Sequence, residues 1–428
     1  LKNTIKSLKD ESQRLIYWTW NTIKSSSFIL ILLITGGWGE MRSYDVAVVG
    51  SGPIGSTLAR YVAKEGFKVV ILEKKRNVGV PLQCAGLLGK RIKKINILPQ
   101  EFIMNEIYGA YLHSPSETIL KVSKKDPEAY VIDRVAYDQF LSDEAVQSGA
   151  QLLLNHRVES VNIHNGEVFV RNGEKISAQV VVGADGYNSM VSRLFNSASE
   201  NYEAVQYLMS VKGVERDYVH VKAESQISPG FLWIIPISDS LVRVGMFSSL
   251  PYKEASAHLE GYIQKNPQLK NSTYLKKYHG CIPIFNPKKQ IVKKRAILVG
   301  DAASQVKPTT GGGLTLGFLC AKLASEVMVK ALEIENTEIL QKYQTLYGKK
   351  FGKELKTQRM VHKTFQSLND AELDFMFSKL KEEDAEDLIS EYGDMDTQSP
   401  LVKEMLRRGI IFSILPQLLS RRISSLWK

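Results

Sequence analysis

Residues 44–55 read YDVAVVGSGPIG, and no other stretch limits the fold so tightly. Tyr44 to Val49 is a β-rich run, and Gly50, Gly52 and Gly55 follow in the spacing G-x-G-x-x-G. A helical pattern continues to Gly66, and a second β-rich run, residues 68–72, ends at Glu73. Strand, glycine turn, helix, strand and a terminal acid make a βαβ unit of the dinucleotide-binding kind. Gly50 permits the tight turn, Gly52 lets backbone approach a pyrophosphate, and Gly55 lets the helix pack on the strand. The helix N-terminus adds free N–H groups and the positive end of its dipole. Glu73 is placed to accept hydrogen bonds from a ribose. Such a unit selects an α/β fold with a parallel sheet, but it does not separate FAD from NAD.

Two later motifs bear on that choice. The strand 179–182 runs into Gly183-Ala184-Asp185-Gly186, and the strand 296–299 runs into Gly300-Asp301-Ala302-Ala303. Pro308 and the triplet Gly311-Gly312-Gly313 then open an apolar helix over 314–328. An acid at the end of a buried strand, Asp185 or Asp301, can hydrogen-bond the ribityl hydroxyls of a flavin. A triple glycine at a helix start lets backbone N–H groups reach the edge of a flavin that gains negative charge on reduction. Either Gly-Asp alone also reads as a turn cap; the pair, in this order behind the fingerprint, favours a flavin.

On VVGSGPIGS, the loop VPLQCAGLLG (80–89), VGADGYNS and VGDAASQVKPTTGGGLTLG, the chain from Met41 onward resembles FAD-dependent oxidoreductases of the para-hydroxybenzoate hydroxylase fold. Within them it is similar to the geranylgeranyl reductase family, which includes a reductase of archaeal membrane-lipid synthesis. The resemblance implies a Rossmann-like FAD-binding domain, an antiparallel-sheet substrate domain and C-terminal helices. It divides the chain into an FAD-binding part (41–95, 130–200 and 285–330), a substrate part (96–129 and 201–284) and a helical part (331–428). It also implies that Ile54, Glu73, Cys84, Ala85, Leu87, Arg134, Val158, Asp301, Gly313 and Leu314 line the FAD. Arg134 begins an amphipathic helix, and its guanidinium suits the phosphate or ribityl side.

The substrate sheet is expected over 203–214, 219–224, 231–235 and 241–247. The third strand lies in SPGFLWIIP (228–236), where alternation points Phe231, Trp233 and Ile235 to one face. That face is expected above the flavin, since a prenyl chain has no polar handle and needs an apolar, shape-selective channel. The family's P-x-x-Y-x-W-x-F-P appears one residue shorter, with Phe231 for Tyr and Ile235 for Phe. Flavin halogenases carry W-x-W-x-I-P at a similar point, which this strand misses by one residue. They also need a lysine that no motif here assigns. A flavin monooxygenase and a non-catalytic membrane-associated electron relay are the remaining rivals to a reductase.

The implied reaction saturates isolated C=C bonds of an isoprenoid chain in lipid or quinone synthesis, and Cys84 is the candidate proton donor. Cys281 and Cys320 read as core residues, and His156, His220 and His279 show no catalytic pairing. No zinc or iron–sulfur spacing appears among the three cysteines, so no metal is expected. There is no second fingerprint for NADPH, and the donor is left between NADPH and a small redox protein such as ferredoxin.

The net charge of +11 suits an anionic surface or ligand. An isoprenoid lipid and the inner face of the cell membrane are the expected partners, with no nucleic acid and a cytoplasmic location. The run FILILLI (28–34) is far shorter than the roughly 20 residues of a span. Residues 1–40 are read as a non-native or dispensable extension before Met41. Lys403 to Lys428 forms a basic, apolar tail with Arg407, Arg408, Arg421 and Arg422, suited to an anionic bilayer surface.

Overall fold

The computed structural model describes residues 42–196 and 200–414. The extension read over 1–40 lies outside the described residues, as does the tail from 415 on with Pro416, Arg421 and Arg422. The fingerprint folds as its spacing predicts. Strand Arg42–Val49 enters the turn, helix Pro53–Lys64 follows, and strand Val69–Leu72 lies parallel beside the first.

Around this unit stands a sheet whose parallel core runs in the order Ala296–Leu298, Lys175–Gly183, Arg42–Val49, Val69–Leu72, Gln151–Leu153. These strands are buried and apolar on both faces, as parallel sheets require; helices Pro53–Lys64, Arg134–Gln147 and Leu314–Glu333 pack side by side in one layer, and Val161 and Val168 of the strands beyond join the same core. Val46, Val48, Val70, Ile71, Val180, Val182 and Ile297 are all buried. Helix Leu314–Glu333, carrying Cys320 in the core, packs against helix Pro53–Lys64 on one side. Every acid-bearing loop named above leaves the C-terminal edge of this sheet, where ligands of such folds gather.

The second large sheet has seven strands in the order Thr273–Pro283, Asn201–Ser210, Leu241–Ser248, Leu232–Ser238, Tyr218–Lys222, Gly109–His113, Ile119–Ser123. Its pairs are antiparallel except one: Tyr218–Lys222 runs parallel to Gly109–His113. The sheet is antiparallel as expected apart from that one pair. About a hundred residues intervene between those two strands, including helix Arg134–Gln147 and four strands of the first sheet, which supplies the long crossover a parallel pair needs. Leu232 and Ile234 pack with Val242, Val244 and Met246 against helix Tyr252–Lys265. The alternate residues of the same strand therefore face the other way, towards the parallel-sheet unit.

A small sheet of Leu87–Gly89, Ala129–Ile132 and Ile103–Ile107 sits between the two. Helices Gln341–Gln366, Asp370–Glu382, Ala385–Tyr392 and Ser399–Arg407 close the described chain. Leu373, Met376, Phe377 and Leu380 form one stripe of Asp370–Glu382 and pack on Leu120 of the seven-stranded sheet.

Candidate active site

A cavity of about 1590 Å³ runs between the two large sheets. It is lined by all the sequence-predicted site residues except Gly55 and Pro308. Gly55 instead packs inside the fingerprint. A Cβ there would lie 2.2 Å from the Gly50 carbonyl oxygen and 3.3 Å from Val48 Cγ1. Gly50 holds φ +104°, a conformation that only glycine adopts without strain. Gly52, by contrast, has extended backbone (φ −63°, ψ 171°) and nothing within 4 Å of where a Cβ would stand. The helix start is thus open on the side from which an anion would approach.

At the end of the second strand, Glu73 Oε2 accepts from the Ser51 N–H and Oγ–H, both at 3.0 Å, and Oε1 accepts from the Lys75 N–H at 2.9 Å. A carboxylate offers about four acceptor sites, so one remains for a ligand hydroxyl. The acid fixes the glycine turn as well as facing the cavity.

The two Gly-Asp motifs separate clearly. Asp185 accepts from Ser189 Oγ (2.5 Å), Met190 N (2.7 Å) and Val191 N (3.4 Å). Its carboxylate closes its own turn, and the turn-cap reading holds there in place of the ribityl one. The Asp301 carboxyl opens onto the cavity but is enclosed by protein and makes no hydrogen bond to another described residue. Burial pushes its pKa up to about 6, against which the Arg134 guanidinium acts weakly. A Cβ on Gly313 would stand 3.0 Å from Asp301 Oδ1, so the unpartnered acid lies at the start of helix Leu314–Glu333. An enclosed carboxyl without a donor, beside free helix-start amides, fits hydroxyls and an electron-rich ring edge.

Arg134 is buried, and its Nε and Nη2 donate to Asp138 Oδ1 and Oδ2, each at 3.0 Å. Two of its donor atoms are therefore committed within the protein, and only the rest of the guanidinium is available to the cavity. Cys84 lies beside it, with Sγ accepting from the Gly86 N–H at 3.3 Å. Under the same loop the buried Arg243 donates from Nη1 to the Ala85 carbonyl at 2.6 Å.

Opposite these groups, Phe231, Trp233 and Ile235 face the cavity with Phe247, and the Phe231 and Phe247 rings meet edge-on at 4.9 Å. The lining continues over Val361, Phe365, Leu373, Phe377, Leu401 and Met405 of the C-terminal helices. That continuation was not expected from sequence, nor were Gln206, Tyr278 or His362 in the lining. The i, i+3, i+4, i+7 spacing of Leu373, Met376, Phe377 and Leu380 was the available signal.

The histidines have partners that the sequence did not show, and the Cys281 reading needs correction. His279 Nε2 lies 2.6 Å from Glu203 Oε2, and His220 Nδ1 lies 3.0 Å from His113 Nε2. His156 lies 3.3 Å from Glu174. Cys281 is half-buried beside Glu203 rather than in the core, because its edge strand is covered on one flank only. Of the lysines lining the cavity, Lys307 is buried and paired with Asp396 (2.7 Å), and Lys124 donates to the Gly393 carbonyl (2.9 Å). Lys74 and Lys75 sit past Glu73, at the end of strand Val69–Leu72.

Comparison with known proteins gives this architecture its class. Residues 43–345 match the FAD binding domain family, so the molecule is an FAD-dependent oxidoreductase. A protein of Methanocaldococcus jannaschii with no assigned function is 33% identical over 88% of this chain and 99% of its own length. A digeranylgeranylglycerophospholipid reductase of Methanococcus vannielii is 32% identical over 80% of this chain and 91% of its own. The crystal structure of a geranylgeranyl bacteriochlorophyll reductase-like protein from Thermoplasma acidophilum superposes with a TM-score of 0.78 at 27% identity, covering 88% of this chain and 99% of that one. This chain belongs to the geranylgeranyl reductase family of FAD-dependent oxidoreductases, and FAD is its cofactor.

Proposed function

We propose that the protein saturates isolated C=C bonds in the geranylgeranyl or related isoprenoid chains of membrane lipids. The cavity carries the reading: at about 1590 Å³ it exceeds the roughly 300–1,000 Å³ of ordinary ligand sites. Many of its polar groups cluster at the glycine turns, and apolar side chains run from Trp233 to the C-terminal helices with Gln206, Tyr278 and His362 set among them. The relatives named as digeranylgeranylglycerophospholipid reductases point to the same substrate class.

In this reading the open amide end at Gly52 receives the pyrophosphate and Glu73 the ribose. Asp301 accepts from the ribityl chain, and the helix-start amides of Gly313 and Leu314 face the ring edge. Ile54, Ala85, Leu87, Val158 and Gly300 form the walls of the cradle, and Arg134 adds positive potential from its Asp138-bound seat. Bound, reduced FAD supplies the hydride equivalent for the alkene. Phe231, Trp233 and Ile235 align the prenyl chain and exclude water, which matters most for an unactivated bond. Cys84 delivers the proton to the second carbon from a loop held by Arg243. The engagement of Lys307 and Lys124 elsewhere favours a reductase over a halogenase.

Helices Gln341–Gln366 and Ser399–Arg407 contribute Met360, Leu401 and Met405 to the cavity lining, and the exposed apolar residues Met360 (57%), Leu406 (43%) and Phe412 (67%) lie on or just after them. We assign this rim to contact with a bilayer, from which a lipid tail enters. Arg407 and Arg408 are tied to Glu404, so the apolar residues carry the contact. Among the described residues no helix is long and apolar enough to cross a membrane.

The deciding experiment is anaerobic reduction with dithionite, followed by mass spectrometry of an added geranylgeranyl lipid. Gain of H2 for each bond saturated is expected. An unchanged lipid with a fully reduced flavin would remove the reading, and oxygenated or halogenated product on admitting air would favour a monooxygenase or a halogenase. Full turnover by C84A with FAD retained would remove the proton role alone.

A further inference from the structure

The edge of the seven-stranded sheet carries a group of side chains that the proposed reaction does not use. Strands Asn201–Ser210 and Thr273–Pro283 pair antiparallel with Glu203 opposite Cys281 and Val205 opposite His279. Because strand side chains alternate, Glu203, Cys281 and His279 stand on one face, two residues apart along the edge strand. Ala204 and Gln206 of the same strands line the cavity, and so do His279 and Cys281 but not Glu203, so the group stands at the cavity's margin beside Tyr187.

A donor atom from each of the three lies within 4.8 Å of those of the other two. His279 Nε2 is 2.6 Å from Glu203 Oε2, and Cys281 Sγ is 3.9 Å from Glu203 Oε1. Ligands around a tetrahedral zinc-sized ion stand roughly 3.3–3.8 Å apart, from bond lengths of about 2.0–2.3 Å. The His–Glu contact has to open by about 1 Å, which a side-chain rotation at the half-open edge supplies. Tyr187, from the loop after Asp185, hydrogen-bonds the Cys281 sulfur and gives it an outer partner.

We propose that Glu203, His279 and Cys281 bind one divalent transition-metal ion of the zinc class, with a fourth position open to water. One thiolate, one imidazole and one carboxylate match borderline-soft ions and exclude magnesium or calcium, which take oxygen sets. Three protein ligands plus an open position is the pattern of an exchangeable site rather than a closed structural one. The site clamps two strands of the substrate sheet and reaches the Gly186–Asn188 loop through Tyr187. It shares no residue with Cys84 or Trp233, but His279 and Cys281 border the same cavity, so zinc binding is measured directly rather than through turnover.

The test uses the full chain loaded with FAD and free of a histidine tag, dialysed against zinc and then examined by zinc X-ray absorption. One zinc per chain with a single sulfur at about 2.3 Å is expected. C281S is expected to lose the sulfur shell and at least about tenfold in affinity, since even outer-shell partners are worth about 10–100-fold. H279Q and E203Q are expected to weaken binding while keeping the sulfur, and flavin absorbance should hold in all three. C84A should bind zinc as the parent does. A parent chain that retains no zinc, a sulfur shell that survives C281S, or zinc lost in C84A instead would each overturn the proposal.

Discussion

The indole Nε1 of Trp233 donates to Gln206 Oε1 at 3.1 Å, across the strand that carries Gly245. A Cβ on Gly245 would lie 2.5 Å from Trp233 Cζ2, so the ring lies flat across the glycine and forms a level wall of the cavity. Gly245→Ala is expected to tilt the indole into the channel. The result should be a loss of about tenfold in kcat/KM on a prenyl lipid, with FAD content unchanged. Gln206→Leu, which removes only the hydrogen bond, should cost about 1 kcal/mol in denaturant unfolding and far less activity.

Asp301 gives a pH signature. Its folded pKa of about 6 stands above the ordinary 3.8, so the folded chain holds this proton more tightly than the unfolded one. Stability is therefore full below about pH 4 and falls as pH rises to about 6, by roughly 3 kcal/mol at most. Urea unfolding of the FAD-free protein should show that slope, and Asp301→Asn should flatten it. FAD should reduce the slope in the parent chain, because donors that reach the carboxylate lower its pKa. A slope untouched by FAD would place the ribityl chain elsewhere.

The two ends of the fingerprint should respond oppositely to substitution. Gly52→Ala adds a Cβ to open space on extended backbone, so the FAD-free protein should melt within a degree or two of the parent. Its FAD affinity should nevertheless fall at least about tenfold by fluorescence titration, because that space is the ligand's. Gly55→Ala places the Cβ 2.2 Å from the Gly50 carbonyl and should destabilise the FAD-free protein itself by about 1–3 kcal/mol.

At the rim, Met360→Glu with Phe412→Glu should release the protein from anionic vesicles in a sedimentation assay. Turnover on lipid embedded in vesicles should drop with it, while turnover on detergent-dispersed lipid stays near the parent's. Equal loss in both assays would mean that the rim shapes the channel rather than the docking.

What could be read from sequence was what is local. The fingerprint's glycines, flanking strands and acid lie within one stretch, and the alternation of Phe231, Trp233 and Ile235 is a property of a single strand. The two Gly-Asp turns looked alike because both follow buried strands. Only the fold shows that Ser189 and the amides of Met190 and Val191 occupy Asp185 while Asp301 is left without a partner. Pairings across long separations were invisible for the same reason. His362 lies 3.2 Å from the Tyr202 hydroxyl across 160 residues, and the edge-strand register that joins Glu203 to Cys281 is set by the sheet. The helical stripe from Leu373 to Leu380 was legible as amphipathic, yet nothing local says what an apolar face will cover.

Lys307 binds the Gly312 carbonyl through its own N–H, while its Nζ reaches the Met395 carbonyl and Asp396, whose carboxylate also abuts Gly89. The loop between Lys307 and Gly313, which forms part of the proposed flavin cradle, is therefore braced by residues translated almost ninety codons later. On a ribosome the Rossmann sheet has all its strands well before that brace emerges, so a nascent chain has the nucleotide socket without its finished floor. If FAD occupies that socket, its tight binding is expected only once the segment around Asp396 has docked.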